Sequence, residues 1–226
     1  MSGTTVVAGR ALFGAYPAVR EALPHFAVAE LPTPVEEAAA LGAAIGVGRL
    51  FVKRDDLTAT AYGGNKVRKL EFLLPAAKER GAKEVMTFGY AGSNHCTATA
   101  IHARSVGLRS ISMLTPQLST VYLRRNLLAS FAAGAKLQLY RSPRSLKFFA
   151  PFVLWQHRRR MGTQPYLIPP GGSSALGTLG FVNAAFELKA QVDAGMLPEP
   201  DALYVAFSSM GTVAGLTLGL LAAGLR

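Results

Sequence analysis

The sequence predicts an α/β fold built from open, mostly parallel sheets with helices on both faces. Two observations carry that reading. From residue 66 onward, short apolar runs alternate with longer runs whose apolar positions recur at helical spacing, the pattern of βαβ units. The helical runs stop at Gly81, Gly107 and Gly134, the residue type that closes a last helical turn in the left-handed region. With 226 residues, 50% of them hydrophobic, the chain can bury a substantial core in one or two domains.

Taken in order, residues 1–30 are weakly patterned and are expected to include irregular surface segments. Leu31, Pro32, Thr33 and Pro34 make a rigid extended piece, because each proline disfavours helix in the residue before it. Residues 36–45 read as an alanine-rich helix and 50–52 as a short strand. A loop then ends in Gly63, Gly64 and Asn65, and Asn65 suits the N-cap of a helix running to about residue 80. Strands are expected at 84–88, 110–114, 136–140, 166–168 and 202–207. Helices are expected at 94–106, 120–133 and 146–161, and from the Gly-Gly-Ser-Ser segment at 171–174 through about 192. A last helix opens at 208–212, and the chain stops just after it, where another strand is expected.

Composition narrows the function classes. The single cysteine, Cys96, excludes an internal disulfide framework and suits a reducing compartment. No basic-then-apolar leader begins the chain. The longest apolar run, 213–225, is short for a membrane span and is interrupted by Gly215, Thr217, Gly219 and Gly224. The expectation is a soluble, cytoplasmic protein with no membrane partner. The net charge of +11 comes with basic clusters at Arg124 and Arg125, at 141–147 and at 157–160, so a nucleic-acid or membrane-surface patch has to be weighed. No helix-turn-helix, zinc-finger spacing or RNA-binding aromatic motif accompanies them. The favoured reading is a basic exterior plus a few groups that attract an anionic ligand, without nucleic acid. His25, His95, His102 and His157 are dispersed, and no carboxylate–histidine spacing suits a metal.

Three stretches carry candidate chemistry. Lys66 falls in the first turn of its helix, where the dipole presents partial positive charge, and Arg68 and Lys69 add like charge nearby. Both effects favour the neutral amine, the form that attacks a carbonyl; a solvated surface lysine is the alternative. Ser208, Ser209, Met210, Gly211 and Thr212 follow an apolar run and open a helix with no charged residue until Arg226. Backbone N–H groups at such a start hold an anion, and Ser209 and Thr212 add hydroxyl donors, which suits a phosphate monoester. The segment is not a Walker loop and lacks the spaced glycines of the dinucleotide fingerprint; an ordinary tight turn is its plain alternative. Gly92, Ser93, Asn94 and His95 occupy the equivalent place after the 84–88 strand. Ser93 and Asn94 can simply cap the helix there. The group can also face a ligand beyond the strands' carboxyl ends, with His95 as acid, base or hydrogen-bond donor. Cys96 beside His95 makes no protease dyad, since adjacent helix residues point about 100° apart.

Read together, these stretches resemble a known family. KRDDLT…GGNKVRKLEFLL, GSNH, YLIPPGGSSALGTLGFVNAAFEL and SSMGTVAGL are similar to the pyridoxal-phosphate enzymes related to aminocyclopropane-carboxylate deaminase and D-cysteine desulfhydrase, from about residue 31 to 225. The resemblance implies the tryptophan-synthase-β-like, type II fold. Pyridoxal 5'-phosphate would lie between a large domain, residues 1–66 with 163–226, and a small domain, residues 67–162. It implies that Lys66 bonds to the cofactor aldehyde and then carries protons, that Ser208, Ser209, Met210, Gly211 and Thr212 hold the phosphate, and that Asn94 meets the ring hydroxyl. Ser93, Asn94 and His95 would face a small amino-acid substrate, with Ser93 near the carboxylate or helping proton transfer. A homodimer is implied as well. The implied activity is a lyase or deaminase reaction giving ammonia and a 2-oxo acid, with sulfide besides from a D-cysteine-like substrate. Binding of the cofactor or another phosphate ligand without turnover is the alternative.

Several positions depart from the family wording. His95 matches the desulfhydrase pattern, whereas the deaminase usually carries glutamine. Gly92 stands for a glutamine, Cys96 and Thr97 for Thr-Arg, and Ser208 and Met210 for glycines. Met210 restricts the backbone, and phosphate can be bound with it in place if the loop stays within common φ/ψ regions. The family continues past position 226 with further strands, a partner for the pyridine nitrogen and a tyrosine near the substrate. A large domain incomplete at its C-terminus is therefore expected.

Overall fold

The computed structural model describes residues 10–225; the weakly patterned start at 1–9 and Arg226 lie outside the described residues. Two short helices, α1 (Ala11–Ala15) and α2 (Pro17–Ala22), stand where the patterning suggests irregular chain. β1 (Val35–Glu37) and β2 (Phe51–Lys53) pair antiparallel around α3 (Ala39–Ala44). The alanine-rich 36–45 segment is therefore not one helix. Its first residues pair with β2 instead, and tertiary pairing overrides a weak helix propensity.

α4 (Asn65–Glu79), β3 (Glu84–Tyr90), α5 (Asn94–Ser105), β4 (Arg109–Thr115), α6 (Val121–Ala132), β5 (Lys136–Leu139), α7 (Pro143–Met161) and β6 (Tyr166–Ile168) follow in the expected alternation. The strands form one sheet of order β5-β4-β3-β6, parallel throughout. Both faces are covered. On one, Leu70, Leu73, Leu74 and Ala77 of α4 and Ala98 and Ala103 of α5 pack on Val85 and Ile168. On the other, Leu146 and Val153 of α7 pack on Met86, Ile111 and Met113. Val85 and Met86 thus point to opposite faces, as consecutive strand residues must. The chain steps outward from β3 to β5, then crosses back through α7 to place β6 on the other side of β3. A crevice opens beyond the carboxyl ends of β3 and β6 where that order reverses, the place at which open parallel sheets collect ligands.

α8 (Ala175–Asp193) and α9 (Gly211–Ala223) complete the architecture. They pack so closely that a Cβ at Gly219 would stand 2.6 Å from Ala185 Cβ. Gly215 and Gly219, two of the glycines interrupting the 213–225 run, are the seam on which α9 seats, whereas Gly224 closes the helix. Arg68, fully buried on α4, donates to Asp55 and, at 3.0 Å, to Glu187 Oε2 on α8. Lys53 Nζ reaches Glu187 Oε1 at 2.5 Å. Each buried charge in this network is answered by another, which is what makes it tolerable, and it fixes the start of α4 against α8.

The 202–207 run is not the strand its apolar character suggests: it carries no ladder and is exposed throughout. A parallel strand needs a neighbour's backbone donors and acceptors, and none of the described strands pairs with it.

Candidate active site

α4 begins one residue earlier than expected. Gly64, at φ 120°, is the N-cap and Asn65 the first helical residue; a residue with a Cβ takes that φ only with strain. Instead of capping, Asn65 Oδ1 accepts from Lys66 Nζ at 2.8 Å. Burial strips water from the Lys66 amine and lowers its pKa from the ordinary lysine value. Arg68 is not the source of that shift, because its charge is spent on Asp55 and Glu187. Lys69 lies one turn beyond Lys66 on the same side of the helix. Burial first, and then the neighbouring Lys66, bring its pKa down to about 8.

Lys69 Nζ donates to Ser173 Oγ at 3.0 Å, and Ser173 Oγ lies 2.7 Å from Ser209 Oγ. These three residues tie α4 to the turn before α9. Gly211 faces the same atoms: a Cβ there would stand 2.7 Å from Ser173 Oγ and 3.0 Å from Lys69 Nζ. Its absence leaves room between a cation, two hydroxyls and the first-turn N–H groups beyond Gly211, whose own N–H is taken by the Ser209 carbonyl at 2.8 Å, a donor set for an anion. Thr212 is buried, while Ser208, Ser209 and Met210 are exposed. The loop does not keep to common backbone regions. Met210 has φ 62° and ψ −21°, the left-handed conformation that costs an L-residue roughly 1–2 kcal/mol. Among the described residues it is the one non-glycine at positive φ. The turn into α9 demands that conformation whatever residue occupies it.

At the end of β3, Ser93 caps α5 by accepting from the Cys96 N–H at 3.3 Å. Asn94 Oδ1 accepts from Asn126 Nδ2 at 2.7 Å and lies 3.1 Å from the Tyr62 hydroxyl. His95 is buried, with Nε2 2.8 Å from Thr87 Oγ1. The Thr87 hydroxyl also lies 2.9 Å from the Ile168 carbonyl, and the ring's other nitrogen is Nδ1. That Nδ1 is buried without a partner among the described residues. Burial, then the charges of Lys66 and Lys69, hold the His95 pKa down at about 3, and the imidazole is neutral at physiological pH. Gly92 has a packing reason: a Cβ there would meet Gln117 Nε2 at 2.6 Å and Leu123 Cα at 3.0 Å.

Lys66, Asn94, Tyr62, Arg125 and Asn126 line a cleft of about 280 Å³ at the crevice. The 208–212 turn does not line this cleft; it joins the site through Ser209, Ser173 and Lys69. His95 sits beneath, close enough to feel both lysines, and Ser93 serves the helix start. Sequence reasoning missed Lys69 and Ser173 as site residues, and Tyr62 and Asn126 as the groups that hold Asn94. The three-residue spacing of Lys66 and Lys69 is a usable signal for the first. Tyr62 and Asn126 lie far from Asn94 in the chain and give no local sign.

The family model for pyridoxal-phosphate dependent enzymes matches residues 27–225. D-cysteine desulfhydrase of Klebsiella pneumoniae is 38% identical over 205 residues, covering 87% of this chain and 60% of the relative. The mitochondrial bifunctional D-cysteine desulfhydrase/1-aminocyclopropane-1-carboxylate deaminase of Arabidopsis thaliana is 37% identical over 204 residues, 86% of this chain and 50% of the relative. Among solved structures, the crystal structure of an ACC deaminase homologue matches with a TM-score of 0.80 at 35% identity, over 92% of this chain and 63% of the other. The chain thus spans little more than half the length of the curated relatives it matches.

Proposed function

The chain belongs to the pyridoxal-phosphate-dependent enzymes, and from that membership we propose that it acts in a lyase of small amino acids, taking D-cysteine or 1-aminocyclopropane-1-carboxylate to ammonia and a 2-oxo acid. Its fold is the type II, tryptophan-synthase-β-like one of the ACC deaminase homologue. The observation that carries the proposal is a pair of lysines one turn apart on α4, Lys66 at a polar cleft and Lys69 bridged through Ser173 to Ser209. The residues present fit the cofactor. The space at Gly211 that a Cβ would fill suits a phosphate, the half-buried amine of Lys66 suits an aldehyde, and the unpartnered Nδ1 of His95 lies buried nearby.

Bound here, pyridoxal phosphate would supply an electron sink for the bonds broken in the substrate. Lys69, Ser209 and Thr212 hold the phosphate at the α9 start, with Ser208, Met210 and Gly211 shaping the turn. Lys66 would hold the aldehyde through Nζ, and the same atom would serve as the base that moves a proton at the substrate's Cα. Its lowered pKa keeps more of the amine neutral at a given pH than a solvated lysine would have. Asn94, held by Asn126 and the Tyr62 hydroxyl, would meet the ring hydroxyl. Asn94 would face the substrate from the cleft wall, with Ser93, at the α5 start, near its carboxylate and His95 behind them.

The test compares the chain with Lys66→Ala and Lys69→Ala after addition of pyridoxal phosphate. Lys66→Ala should lose the visible absorbance of lysine-bound cofactor, and Lys69→Ala should keep it at weaker affinity. Equal absorbance in the chain and Lys66→Ala would refute the role of Lys66. The left-handed Met210 favours one rival, binding without turnover. Absorbance without release of 2-oxo acid from either substrate would select that rival. The proposal extends to a homodimer in a cytoplasmic setting. It also includes the division of residues 1–66 with 163–226 against 67–162, its second crossing drawn towards Pro169 by the pairing of β6 with β3.

A further inference from the structure

α7 has two faces of unlike character. Leu146, Val153 and His157 turn to the protein and are buried. At about 100° per residue, Phe148, Phe152 and Trp155 fall on the opposite side, and they are 78%, 56% and 50% exposed. With Phe149 the rings make a surface cluster: Phe152 and Trp155 stack at 5.8 Å, and Phe148 meets Phe149 edge-on at 5.2 Å. Large apolar side chains gathered outside mark an interaction site. The surroundings carry one sign of charge. Arg141, Arg144, Lys147, Arg158, Arg159 and Arg160 are exposed, and no Asp or Glu occurs from 141 to 161. Among the described residues none of these six cations pairs with a carboxylate. Arg159 instead stands over the Trp155 ring at 5.1 Å.

We propose that α7 is a docking face for an anionic lipid surface, lying in the interface plane with Phe148, Phe152 and Trp155 at the headgroup–acyl boundary and the basic side chains on the phosphates. Charge and shape select this occupant. The convex crest of a single helix offers no groove to a peptide. A second copy would set six cations against six. A duplex nucleic acid would answer the cations and leave the aromatic crest in water, and a single strand would need free ring faces for its bases, whereas Phe152 and Trp155 already stack on each other and Arg159 covers Trp155. An anionic bilayer surface satisfies both, because rings enter the boundary while Lys and Arg stems reach back to the headgroups. The association is peripheral, since no helix among the described residues is long and apolar enough to cross a membrane. Composition alone reads these arginines as a generic basic exterior; at 100° per residue Arg144 and Arg159 fall among the aromatics on the outward side of α7, with Lys147 and Arg158 flanking them. The inference is independent of the catalytic proposal.

Trp155 is the single tryptophan of the chain, so its emission reports the face directly. Titration of the full chain with phosphatidylcholine vesicles containing phosphatidylserine should shift that emission to the blue and sediment the protein with the vesicles, reversibly with salt. Vesicles of phosphatidylcholine alone should do neither. Removing three exposed cations in Arg158→Gln/Arg159→Gln/Arg160→Gln should weaken binding roughly a hundredfold, at about fivefold for each charge near an anionic surface. Phe152→Ser, at a solvent-facing position, should weaken binding while leaving its salt dependence in place. Absence of binding, equal binding to both vesicle types, sedimentation without an emission shift, or an equal shift with RNA would each overturn the proposal.

Discussion

His95 ties the stability of the chain to pH with a definite sign. Folded, the buried ring protonates only at about 3, against 6.5 for an unperturbed histidine. The unfolded state therefore takes up a proton that the folded state refuses. This stabilisation is fully present above pH 6.5 and is lost as pH falls from 6.5 towards 3. Each pH unit in that window costs about 1.4 kcal/mol, so the loss between pH 7.5 and pH 5 is about 2 kcal/mol. Urea unfolding at both pH values, on the chain and on His95→Gln, isolates the ring. Glutamine does not titrate and keeps a polar atom for Thr87, so the variant should lose about 2 kcal/mol less on acidification. His102, whose pKa burial also lowers, is present in both proteins and cancels. Parallel losses in the two proteins would show that the ring is not held neutral, and the cluster of His95 with Lys66 and Lys69 would be wrong.

Three further substitutions test the frame around the site. Met210→Gly should stabilise the chain by about 1 kcal/mol, the left-handed strain relieved less the backbone entropy of glycine; a lower urea midpoint in the variant would contradict the strain. Arg68→Met leaves Asp55 and Glu187 short of a partner and should cost about 3–5 kcal/mol in urea or thermal unfolding, whereas a surface ion pair would cost under about 1. Gly219→Ala drives a Cβ towards Ala185 and should cost about 1–3 kcal/mol by overpacking while leaving the absorbance of bound cofactor in place. A costless substitution there would mean that α8 and α9 do not meet as closely as 2.6 Å between those Cβ positions implies.

What was legible in the sequence divides along a physical line. The run from β3 to α7 could be read to within a few residues because each βα unit closes on the next strand and is punctuated by its own glycine or cap. The strand at Val35–Glu37 and the unpaired 202–207 run could not be read, because a strand is defined by a neighbour, and periodicity says nothing about whether one is there. The site divides in the same way. Lys66, Ser209 and Asn94 stand in motifs, whereas Ser173, Tyr62 and Asn126 arrive from other elements and acquire meaning only at hydrogen-bond distance. Even the lowered pKa of Lys66 was anticipated for another reason. Dipole and neighbouring charge can be read from sequence, but burial, the cause the structure gives, is a tertiary property.

The first turn of α4 makes the point most sharply. Lys66, Arg68 and Lys69 add three positive charges to one short segment, and as a sum they look interchangeable. Their directions separate them. Arg68 turns to Asp55 and Glu187, anions that the chain itself supplies, and its pKa is raised. Lys66 and Lys69 meet an amide oxygen and a hydroxyl instead, and their pKa values fall. A protein that neutralises one cation of a cluster and leaves two half-desolvated beside glycine-made space retains the capacity to take a carbonyl and an anion from outside. That asymmetry, more than the charge of the motif, sets the candidate site apart from a basic helix start.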